Sequence, residues 1–192
     1  MVVAVGVAYV AALGVGFARY GLSEPITDPL LAIMEVLTLA SAIPLVSLVL
    51  AILLVAPKAR RPQGILALCF IVMFATATSA VHLALLTAGR QLGTEGLVWP
   101  SPAYAVKLLA WDLFLGVALI LCASALDPQQ ASPVLRRGVQ VTGFLCVVGI
   151  IGPVLGNMRL QLVGVFGYGV ALPVVALGLT RWFRGLSRAG VA

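Results

Sequence analysis

The run Tyr104–Leu126, YAVKLLAWDLFLGVALILCASAL, is apolar enough to lie in a bilayer, yet it carries Lys107 and Asp112. A helix rises about 1.5 Å per residue and a hydrocarbon core is about 30 Å thick, so roughly 20 apolar residues suffice to cross. A charge at the centre of such a helix costs at least about 2.5 kcal/mol. Two in one span call for partners, and partners inside a membrane must come from other spans.

Those spans are present. Hydropathy windows of about 20 residues predict six, over roughly 2–19, 30–56, 64–88, 103–126, 138–156 and 160–180. Of the 192 residues, 62% are hydrophobic and 9% charged, and the mean hydropathy is +1.15. Soluble domains carry about 25% charged residues, and none of this size could bury so much apolar surface. The expected architecture is an all-α integral membrane protein, one transmembrane domain over residues 1–192 built as a six-helix bundle. The N-terminal run has the apolarity of a signal peptide but neither its basic start nor a small-residue cleavage site, so it reads as a retained first span.

The net charge of +6 does not indicate nucleic acid, because the basic residues stand in short patches between spans rather than along one face. They give an orientation instead. Lys58, Arg60, Arg61, Arg136, Arg137, Arg181, Arg184 and Arg188 fall on one side of the alternating spans, and Arg19, Arg90 and Arg159 on the other. The positive-inside rule then expects both termini in the cytoplasm, in the cell membrane, with Glu24, Asp28 and Glu95 facing outward and Trp99 and Trp182 at opposite interfaces. Cys69, Cys122 and Cys146 lie within apolar runs without metal or redox spacing and read as small buried hydrophobes. No cofactor or metal is called for: a single histidine rules out bis-histidine haem and leaves only Glu35 and Asp112 to complete a zinc site.

Local signals refine the helices. Asp28-Pro29 and Ser101-Pro102 each put a capping side chain before a proline at the start of a helix entering from the less basic side. Glu35 and Lys107 follow at similar depth, an echo that could trace an internal repeat. Pro44, Pro153 and Pro173 each remove a backbone donor and are expected to bend their spans. The fifth and sixth spans are joined by GNMRLQ, which predicts a tight hairpin capped by Gly156. Small residues at Gly149, Gly152 and Gly156, and at Ala4, Ala8, Ala12 and Gly16, predict close helix packing; the latter stripe could also serve a helix-helix oligomer.

Four ionisable residues lie within spans: Glu35, His82, Lys107 and Asp112. Helical rise places them about 6–13 Å from the ends on the less basic side, which predicts a polar cavity in that half of the bilayer. Thr78 and Ser79 stand one turn from His82 on the same helix face. Each of these hydroxyls could instead bond a carbonyl a turn back. Lys107 and Trp111, four residues apart, predict a cation over the indole, although Lys107 could equally snorkel to the interface. Lys107 and Asp112 are five apart, about 140° around an ideal helix, so Asp112 should find its partner across the bundle, with Glu35 and His82 the expected candidates. Asn157, Arg159, Gln161 and Tyr168 could complete the cavity wall.

Three functions fit this pattern. The first binds or transports a small solute or lipid-like ligand in the cavity, with proton coupling through the carboxylates and histidine. The second is a membrane enzyme using a carboxylate–histidine acid–base pair on an apolar substrate. The third is an accessory subunit whose polar groups only lock helices. Metalloprotease and nucleotide motifs are absent from the sequence.

Overall fold

The computed structural model describes residues 1–21, 26–93 and 99–188; Glu24 and Glu95 lie outside them. Among the described residues the chain is helical without strands, and six helices are long and apolar enough to cross a membrane: α1 (Val2–Tyr20), α2 (Leu30–Val55), α3 (Lys58–Leu92), α4 (Pro102–Ala125), α5 (Pro133–Val154) and α6 (Met158–Arg188). Each packs on its sequence neighbour, and α1 also touches α6, so the bundle closes on itself. The central helix is α4, which packs on α2, α3 and α5 and is the most buried; α1 is the least.

The capping signals act where the sequence places them. Asp28 Oδ1 accepts from the Ala32 amide at 3.1 Å, and Ser101 Oγ accepts from the Tyr104 amide at 3.2 Å. A third such cap before a proline adds to them: in Ser132-Pro133, Ser132 Oγ accepts from Leu135 N, so α5 begins at Pro133 rather than near residue 138. Hydropathy windows stop at charges, whereas helices stop at caps. For the same reason α3 starts in the basic Lys58–Arg60 turn, and α6 continues through its arginines to Arg188.

The α5–α6 hairpin ends as expected. Gly156 has φ +67°, its amide donates to Pro153 O, and the Asn157 amide donates to Gly152 O, the paired bonds of a Schellman motif. Asn157 Oδ1 then caps α6 through the Arg159 amide. Glycine lets the helices touch at backbone distance: a Cβ on Gly149 would lie 2.6 Å from Gly164 Cα, and one on Gly152 would lie 2.5 Å from Gln161 N. Gly143 and Gly116 make the same approach between α5 and α4. In α1 the small-residue stripe divides. Ala12 and Gly16 are buried, Gly16 beneath Ile26 and Leu30, while Ala4 and Ala8 are exposed.

Pro44 leaves α2 unbroken, whereas α5 is interrupted at Ile150 before its Pro153 turn. Two turns widen to π geometry, Leu109–Phe114 in α4 and Gly167–Ala171 in α6. The second has a visible cause. Pro173 cannot donate to Gly169 and its ring crowds that carbonyl, so the preceding turn opens to make room. The first contains neither proline nor glycine, and it carries Trp111 and Asp112.

Candidate functional site

The ionisable residues within the apolar helices separate into two clusters. In the first, α2, α3 and α4 meet through Glu35, His82 and Lys107: Glu35 Oε2 contacts His82 Nδ1, and Glu35 Oε1 lies 3.5 Å from Lys107 Nζ. Glu35 is 5% exposed and His82 1%, so this is an interior ion-pair network closed at its outer edge by the partly exposed lysine. The matched depths of Glu35 and Lys107, which suggest a repeat in sequence, are what allow the two to face each other. Thr78 is fully buried and its hydroxyl has no partner among the described residues, so it does not bond the carbonyl a turn back; the neighbouring His82 Nε2 is likewise unpaired among them. Ser79 is half-buried beside them.

Lys107 does not lie over Trp111. Its ammonium is 5.8 Å from the Tyr104 ring instead. Helical side chains lean toward the N-terminus, so a lysine covers the turn before it rather than the turn after.

Asp112 does not reach Glu35 or His82; it points to the other side of α4, toward α5 and α6. Its carboxylate receives two long contacts of 3.5 Å from Gln161 Nε2, which donates its better bond, 3.1 Å, to Tyr168 Oη. Gly149 and Gly164 provide its space: a Cβ on Gly164 would stand 2.5 Å from Asp112 Oδ1. Among the described residues no Lys, Arg or His nitrogen lies within 4.0 Å of this fully buried acid. Asn157 and Arg159 are exposed at the hairpin and do not join the cluster.

Between the clusters lies a pocket walled by α1, α2, α4 and α6, with about 780 Å³ of non-atom space including its mouth. Glu35, His82 and Asp112 do not line it. Its walls are mainly apolar and aromatic, Tyr9, Tyr104, Trp111 and Tyr168 among them, and Lys107 is the only charged side chain of the described residues that line it. Thr38 and Ser41 turn their hydroxyls to carbonyls of their own helix, Met34 O and Thr38 O, and so present little free polarity. Trp111 is held edge-on to Phe74 and against Tyr168, with ring centroids 4.9 and 5.0 Å away, and its indole N–H is buried without a partner among the described residues. Gly6 completes the wall by admitting Pro173. Tyr9 was missed at the sequence level; its only signal is a phenol in an otherwise apolar first span.

Comparison of the chain with family models, curated proteins and solved structures finds no match. Six apolar helices, compatible with a multi-pass membrane protein, are what structure and sequence establish together.

Proposed function

We propose that this chain binds a small lipid-like amphiphile within the membrane, its tail between the aromatic walls of the α1–α2–α4–α6 pocket and its oxygen-bearing head at Lys107. The observation that carries this reading is a single ammonium group in the wall of an otherwise apolar and aromatic pocket. Binding sites for small molecules are typically built this way, with a few polar groups fixing orientation. An ammonium donor suits a head that accepts hydrogen bonds, such as a carboxylate or carbonyl. Glu35 and His82 stand behind Lys107, and a proton taken up by that pair would alter the charge balance at the ammonium and couple binding to protons.

Direct contact between Glu35 and His82 favours the acid–base enzyme as a second reading. Neither group lines the pocket, however, and a general acid or base must come within about 3 Å of the proton that it transfers. Binding therefore accounts for more of the geometry.

A variant with Trp99→Phe and Trp182→Phe leaves Trp111 as the only tryptophan. In phosphatidylcholine nanodiscs, a brominated fatty acid should quench it saturably, and Lys107→Gln should weaken that quenching at least about tenfold, the worth of one charge-assisted hydrogen bond. Shallow, unsaturable quenching that is identical with and without Lys107 would sink the proposal and leave the helix-locking role.

A further inference from the structure

The basic end of the bundle holds a second pocket, lined by Ala123 and Ser124 of α4 and by Pro133, Arg136, Arg137 and Gln140 of α5, with about 590 Å³ of non-atom space including its opening. The positive-inside bias explains why arginines are on this side. It does not explain their placement, because that bias is met equally well by side chains extended into water.

Three details call for an anion. Among the described residues no acid lines the pocket, so Arg136 and Arg137 meet there without a compensating charge from them. Arg136 Nε is closed off from solvent and has no acceptor among the described residues, and a buried, unsatisfied donor on a cation is among the costlier defects a protein can carry. A third guanidinium is tied to the pocket wall, since Arg60 Nη1 donates at 2.5 Å to the carbonyl of Ser124, although Arg60 does not itself line the pocket. Like charges gathered at one concave site repel unless an anion stands between them.

We infer that this pocket binds a phosphate group, with Arg136 and Arg137 as its ligands and Arg60 at its rim. Guanidinium groups match phosphate oxygens in pairs, and a site between helices at a membrane surface lies at the depth of phospholipid headgroups. The same chemistry would accept a soluble phosphate compound. This inference is independent of the amphiphile pocket, with which it shares no lining residue.

Two arms distinguish the sources, both with the full-length protein. In the first, protein is extracted from vesicles of phosphatidylcholine mixed with phosphatidylglycerol and its retained lipid is measured; in the second, protein in neutral detergent is titrated with inorganic phosphate while its unfolding midpoint is followed. Enrichment of phosphatidylglycerol assigns a lipid headgroup, and saturable stabilisation by phosphate alone assigns a soluble anion. Arg136→Gln with Arg137→Gln should weaken the effect at least about tenfold, while Arg19→Gln at the opposite end leaves it unchanged. Arg137 is exposed, so Arg137→Gln alone supplies a variant that keeps the packing if the double variant fails to fold. Equal responses of wild type and arginine variants, or no preference for the anion in either arm, would overturn the inference.

Discussion

Each charge within an apolar helix survives by what it touches, and Lys107 and Asp112 show two different solutions on one helix. Lys107 reaches Glu35 and, through it, His82, whereas Asp112 has only a shared amide and the space left by two glycines. Removing one member of a buried ion pair costs more than the pair contributes, because the survivor stays desolvated. Glu35→Ala should therefore destabilise the protein by about 3 kcal/mol, and Lys107→Met by less, since a lysine on the pocket edge is already partly exposed. In the double variant the losses should add to less than their sum, and equilibrium unfolding in mixed detergent micelles measures the difference; strict additivity would mean that the 3.5 Å contact contributes nothing. Residue type and depth made Glu35, His82, Lys107 and Asp112 legible in the sequence. Their grouping was not, because it depends on how each helix is rotated against its neighbours. Tyr104 could have been identified as the neighbour of Lys107, since the lean of helical side chains toward the N-terminus is a property of the helix alone.

At the scale of elements, glycine sets how closely the helices approach, and approach decides which polar groups meet. The α5–α6 crossing at Gly149 and Gly164 lies directly against Asp112, so a methyl group at Gly164 would collide with both backbone and carboxylate. Gly164→Ala should cost about 1–3 kcal/mol by overpacking. Gly14→Ala meets nothing within 4 Å and should be neutral or stabilising by up to about 1 kcal/mol, so thermal unfolding of the two variants side by side separates packing from helix propensity. Gly149 and Gly152 could be read as packing surface from spacing alone, whereas Gly156, in the same stripe, meets nothing within 4 Å and serves only the turn. The wide turn at Leu109–Phe114 could not, because nothing in LAWDLF disfavours ordinary helix; the turn belongs to the packing around Trp111 and Asp112.

Across the whole molecule the six spans follow from hydropathy because the bilayer fixes their length, while their ends follow from caps that hydropathy ignores. The ring order, each helix against its sequence neighbour and α1 against α6, makes α1 both the lightest-held helix and a wall of the amphiphile pocket. Its amides should exchange at least about tenfold faster with deuterium than those of α4 in nanodiscs, and equal protection would show that the ring opens as one unit. The cluster at Asp112 has a further consequence, for biogenesis. Spans emerge in order during synthesis, so Glu35 waits for α3 and α4 before its partners exist, and Asp112 waits longer, for the Gln161 carried by the last helix. Until α6 arrives, the central span holds a carboxylate toward a side with no amide to meet it. A nascent chain halted before residue 158 therefore lacks the one amide that meets this carboxylate among the described residues.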